Sequence, residues 1–71
     1  MMRIRCTFRP QAWVNDNAID VDPEGPTNWD MNVETLPDPN SHESDELRND
    51  PAAPVWAQNW HGPFEVDFEL V

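Results

Sequence analysis

Arg3-Ile4-Arg5-Cys6-Thr7-Phe8-Arg9 stands near one end of the chain, and Phe64-Glu65-Val66-Asp67-Phe68-Glu69-Leu70 near the other. Both stretches alternate apolar and polar side chains at period two, the pattern of a strand with one buried face and one wet face. Neither contains an internal proline, which would remove a ladder hydrogen bond. The first carries Arg3, Arg5 and Arg9 at its wet positions, the second Glu65, Asp67 and Glu69. Pairing them sets a row of cations beside a row of carboxylates, each cross-strand pair adding about 0.2–1 kcal/mol. The alternation therefore predicts that residues 1–9 and 63–71 are paired strands of one sheet.

The stretch between them is less regular. Ala18-Ile19-Asp20-Val21-Asp22 reads as a weaker strand that ends at Pro23, antiparallel to the first, with residues 10–17 as the connection. Six of the eight prolines fall between Pro23 and Pro54, which limits regular structure to short pieces such as Asn32 to Leu36. A short helix is expected over residues 51–61. Asp50 or Ala53 caps it, Pro51 or Pro54 occupies its first turn, and Gly62-Pro63 stops it. Trp56 and Trp60, four apart, give that helix one apolar face. A further helical turn over Ser44–Asn49, with Ser44 as its cap and Leu47 as its anchor, is compatible with the pattern. The expected fold is α+β: a three- to four-stranded antiparallel sheet, one short helix, and a long irregular acidic segment over residues 16–50, all in a single small domain.

A chain of 71 residues buries only about 60% of its unfolded surface, so its core must be efficient. Val, Ile, Leu and Phe number 14 among those 71 residues, few enough that four tryptophans have to supply much of the apolar area. At least three of Trp13, Trp29, Trp56 and Trp60 are assigned to the core, with Trp29 the one left partly exposed. Cys6 is the sole cysteine, which excludes an internal disulfide and a cysteine-based zinc cluster, and points to a reduced, cytoplasmic compartment. Its place on the apolar side of the first strand reads as a buried thiol. No leader and no apolar run of about 18 residues is present, so the sequence reads as soluble, complete as written and monomeric.

Several chemistries are excluded by residue types alone. His42, His61 and Cys6, without any Tyr or Lys, assemble no nucleophile with a nearby base. Two glycines make no phosphate cradle. An enzyme is not expected, and no cofactor. Asp20-Val21-Asp22-Pro23-Glu24-Gly25 copies the opening of a calcium loop, yet Met31 stands where that loop needs its bidentate Glu. No metal is therefore expected, and the segment reads as a strand ending in a Pro-Gly turn.

The net charge of −10 is regional. Residues 1–15 carry +3 and residues 51–71 carry −3, so the excess belongs to residues 16–50, with eleven acids and only Arg48. Such a chain repels nucleic acid and anionic membrane and steers toward cationic partners. Acids at alternate strand positions, as at Asp20 and Asp22, stand about 6.7 Å apart on one face. A ladder of that kind can imitate a phosphate backbone to a groove lined with Lys and Arg. The candidate contact residues are Asp20, Asp22, Glu24, Asp30 and Glu34, followed by Glu43, Asp45, Glu46 and Asp50. The alternative is an interaction or adaptor module using the Trp-bearing helix, with the charge serving solubility.

The runs VDPEGPTNWD (21–30) and GPFEVDF (62–68), in so short and acidic a chain with a compact sheet, resemble anti-CRISPR proteins of phages and mobile elements. The similarity is to the DNA-mimic class, among inhibitors of type I effector complexes such as type I-C. The resemblance implies binding to a Cas subunit that recognises the protospacer-adjacent duplex, in the bacterial cytoplasm, and so blocking target DNA. It carries over no individual residue.

Overall fold

A computed structural model describes residues 1–36 and 46–71. Four strands form one antiparallel sheet: β1 (Met2–Val14), β2 (Asn17–Asp20), β3 (Asn28–Val33) and β4 (Phe64–Leu70). A 3-10 turn (Leu47–Asn49) and one short helix, α1 (Val55–Gln58), complete the described elements.

Every strand pairs with β1, and among the described residues no other two strands pair. β3 lies opposite Met2–Thr7, β4 opposite Ile4–Pro10, and β2 opposite Gln11–Val14. One strand has only two edges, so two of these partners must share one. The hydrogen bonds say which, because alternate residues of a strand present their backbone groups to opposite edges. Phe8 N donates to Thr27 O, just before β3, and Pro10 O accepts from Val21 N, just after β2. Gln11 N donates to Pro63 O and Arg3 O accepts from Val71 N, both on the β4 side. β2 and β3 therefore lie end to end along one edge of β1, and β4 takes the other. Residues 21–27 loop out between β2 and β3, opposite Phe8–Pro10.

That break explains how β1 runs through Pro10, where a strand end and a connection over residues 10–17 were expected. The missing N–H of Pro10 points into the gap between β2 and β3, so no ladder bond is lost. The connection shrinks to Asn15-Asp16, with φ of 51° and 65°. Positive φ at both central residues is the type I′ hairpin turn, whose twist matches its strands. Asn and Asp tolerate that region better than other side-chain-bearing residues.

The even-numbered β1 residues from Ile4 to Phe8 face the core. Ile4, Cys6 and Phe8 are fully buried with Trp29, Val66, Leu47, Ala53 and Ala57, and Met31, Val33, Trp56, Trp60, Phe64 and Phe68 pack around them. The 3-10 turn and α1 thus cover one face of the sheet. The helix is four residues long, not eleven, and neither Asp50 nor Ala53 caps it. Pro54 is its N-cap in extended conformation (ψ 141°), and Asp50 instead closes a turn, its backbone O accepting from Ala53 N and its Oδ1 from Ala52 N. Two prolines three residues apart split the expected helix into a turn and a helical stub. Arg48 Nη1 ties the stub down by donating to Trp60 O (2.7 Å) and Ala57 O (3.3 Å), while its guanidinium lies 4.0 Å from the Phe64 ring centroid. Leu47 is buried, as an anchor should be; the Ser44 cap lies outside the described residues.

Two tryptophans exchange their expected places. Trp29 is 5% exposed and Trp13 is 68% exposed. Trp29 sits on β3 opposite Cys6, which forces it inward, whereas Trp13 stands on the hairpin beyond the reach of β4. Phe8 is the centre of the aromatic packing, with Trp56, Trp60 and Phe64 centroids at 5.2, 6.5 and 5.6 Å. Phe8→Ala is expected to lower the unfolding free energy by about 3–5 kcal/mol in urea titrations. Trp13→Ala should change it by no more than about 1 kcal/mol.

Candidate functional site

The odd-numbered residues of β1 place Arg3, Arg5, Thr7, Arg9 and Gln11 on the sheet face that no helix among the described residues covers. The register sets Glu65, Asp67 and Glu69 beside Arg9, Thr7 and Arg5 on one flank, and Asp30 beside Arg5 on the other. Asp20 lies opposite Gln11 at the upper end. Three arginines thus meet five carboxylates on one face, a local excess of −2.

The contacts are specific. Asp30 accepts from Arg5 Nε at 2.8 Å and Arg5 Nη2 at 3.2 Å, with Arg3 Nη2 at 3.4 Å. The Arg5 hydrogen bond holds the Asp30 carboxyl below its ordinary range, and the same bond raises Arg5. Arg9 gathers three carboxylates: Glu65, Asp67 with its Oδ2 2.7 Å from Nε and off the N–H axis, and Asp20 at 3.4 Å. Partial burial opposes the Arg9 charge, but Asp67, Glu65 and Asp20 together outweigh it and raise its pKa. Asp20 also accepts from Gln11 Nε2 at 2.9 Å, which satisfies the one buried polar side chain of the sheet. Arg48 is held by the carbonyls of Ala57 and Trp60 and by the Phe64 ring. The chain has four basic residues, all arginine, and each is engaged internally.

The candidate acids consequently fall into different situations. Asp20 and Asp30 are bound to arginines, and Asp50 is bound in its turn. Asp22 and Glu24 are exposed in the loop of residues 21–27, Glu34 is exposed just after β3, and Glu46 is exposed at the start of the 3-10 turn. Glu43 and Asp45 lie outside the described residues. The strand ends at Asp20, so Asp20 and Asp22 do not form the alternating ladder expected of residues 18–22. Pro23 and Pro26 release that stretch from the sheet. Asp20, the first acid of the calcium-like segment, contacts Arg9 and Gln11. Among the described residues no three His, Cys, Asp or Glu side chains converge as a metal site requires.

Glu65, Asp67 and Glu69, read in the sequence as partners of the arginine row, are set beside it by the register. One feature went unassigned in the sequence. Trp13, Val14 and Ile19 form an exposed apolar arm at the hairpin, and its signal, an Asn-Asp pair between two short apolar runs, is weaker than Asn-Gly. No helix among the described residues is long and apolar enough to cross a membrane. The chain matches no protein-family model, no curated protein and no solved structure.

The Asp30 cluster makes a pH prediction. A carboxyl held below its ordinary value of 3.8 contributes stability above that pH and loses it as pH falls through the lower folded value. Wild type should melt above Asp30→Asn near about pH 7, and the gap should close toward about pH 2. A gap that stays constant with pH would show that ionisation plays no part. Cys6 makes another: burial, with smaller contributions from Asp50 and Asp30, pushes its thiol up to about 11. A disulfide-exchange reagent at about pH 8 should therefore modify the native protein far more slowly than the urea-unfolded chain.

Proposed function

We propose that this protein acts as an acidic DNA mimic. It binds the basic DNA-binding surface of a nucleic-acid-binding protein and excludes DNA from it without catalysis. The resemblance to DNA-mimic anti-CRISPR proteins makes a Cas subunit of a type I effector complex in the bacterial cytoplasm the leading partner. One observation carries the proposal: all four arginines are engaged within the chain, so the acids that lack an arginine partner are left to present the net charge of −10. A cationic groove meeting this surface finds carboxylates where it would otherwise find phosphates. Association is then steered electrostatically and weakens as salt is raised.

The contact surface takes the acidic stretch of residues 16–50 as its main part. Within it, Asp22, Glu24, Glu34 and Glu46 are the acids best placed to reach a partner, since they are exposed and have no arginine of their own. Asp20 and Asp30 act at one remove by holding arginines out of the way. Reversing Asp20 would disturb the arm, so the clean test moves to the loop.

A second mechanism has its own observation. Trp13 (68% exposed), with Val14 and Ile19, and Val55 on α1 (70% exposed) offer apolar area to a partner that ignores charge. Salt separates the two. With a purified type I effector complex, the protein should suppress target-DNA binding at about 50 mM salt and lose at least about tenfold in potency by about 300 mM. Asp22→Lys with Glu24→Lys should weaken it by a similar factor while leaving the melting temperature in place. Inhibition that resists salt and both reversals, yet falls with Trp13→Ala, would replace mimicry by the apolar arm.

A further inference from the structure

Both glycines of the chain lie against tryptophans. A Cβ on Gly25 would stand 2.9 Å from Trp56 Cδ1 and Nε1, and one on Gly62 would stand 3.2 Å from Trp60 Nε1. Neither glycine has positive φ. They are needed for room, and the room lets two indoles seat against backbone. Trp56 Nε1 donates to Pro26 O at 2.8 Å, and Trp60 Nε1 donates to Pro63 O at 2.9 Å. Each ring is therefore locked in orientation with its single donor satisfied.

The two rings meet at 88° with centroids 6.3 Å apart, and Phe8 stands behind them at 83° to Trp56 and 78° to Trp60. Trp56 and Trp60, packed edge to face, together line a cleft of about 490 Å³, rimmed by Glu24, Asn59, His61 and Gly62. Both tryptophans are only half-buried despite their contacts with the core. The cleft thus consists of two perpendicular aromatic walls without free indole donors, beside an exposed carboxylate. Aromatic faces attract cations within about 6 Å of the ring centroid, tryptophan most strongly. A centroid separation of 6.3 Å lets one group in the corner reach both. The chain lacks lysine, and its four arginines are engaged elsewhere, so no arginine or lysine of its own fills the corner.

We propose that this cleft receives an arginine side chain of the basic protein partner, with the guanidinium stacked on Trp56 or Trp60 and paired with Glu24. The proposal rests on the acidic-surface mechanism for the source of that arginine. Guanidinium suits the corner better than ammonium because it is planar, weakly hydrated and stacks on indole. The cleft would supply what diffuse charge cannot: a single locus at which one basic side chain is selected and oriented.

The test is an NMR titration of the full chain with N-acetyl-arginine amide, read at the four indole N–H resonances. Trp56 and Trp60 should shift and saturate in the millimolar range, with Trp13 and Trp29 unmoved. The uncharged citrulline analogue should bind about tenfold more weakly, and Glu24→Gln should weaken arginine several-fold. Equal binding of citrulline would overturn the proposal, making the cleft a merely apolar pocket, as would the absence of saturable shifts at Trp56 and Trp60. If arginine amide fails there while salt-sensitive inhibition of the effector complex persists, the cleft falls and the acidic-surface mechanism stands. If it titrates the cleft while no basic protein is inhibited, the cleft stands and that mechanism falls.

Discussion

The whole described architecture depends on one strand. β1 supplies the hydrogen-bonding partner of every other strand, the centre of the core on one face and the arginine row on the other. Its thirteen residues are long for so small a sheet. That length lets two short strands share an edge while β4 holds the opposite one. The break between β2 and β3 is where β1 can accept Pro10, and the loop leaving it reaches Trp56 through Pro26. A local proline and a distant tryptophan are thus accommodated by the same interruption.

Charge is organised around the same strand. The terminal segments cancel one another in composition, and the register converts that cancellation into contact, with Arg9 drawing Glu65 and Asp67 from β4 and Asp20 from β2. Arg5 turns to the other flank and Asp30. Cross-strand neutralisation gives every arginine of the sheet a carboxylate partner, while the acids without one keep their full charge. Where the acidity of this small body is left uncompensated is therefore set by pairing as much as by composition.

The sheet was legible because period-two alternation is a strong signal and both terminal strands carry it without interruption. Cys6 burial and the facing rows of opposite charge follow from that alternation. The helix was misjudged in length because capping rules treat Pro51 and Pro54 as alternative starts, whereas two prolines in succession leave room for a single turn. Trp13 and Trp29 exchanged places because composition tells how much aromatic area a core needs, not which tryptophan lies opposite a core residue. Register decides that, and it depends on where the hairpin turns. The functional surface was readable as a region and unreadable as a set of residues. Whether an acid is free or bound depends on which arginine stands across the sheet, and no linear pattern states it. The cleft of Trp56 and Trp60 was hidden for a related reason. Their spacing is that of a core-facing helix, and only the carbonyls of Pro26 and Pro63, with the glycines beside them, turn the rings toward solvent.

The outer edge of β4 has no strand partner among the described residues. Open edges are templates on which copies of a chain can stack into fibres. Here the strand carries Glu65, Asp67 and Glu69 at alternate positions. A second β4 laid against it would bring carboxylates opposite or diagonal to carboxylates, where like charges destabilise pairing. The row that neutralises arginine on one side thus serves as gatekeeper on the other. What opposes edge-to-edge stacking here is thus confined to one strand edge and carried by charge rather than by shape.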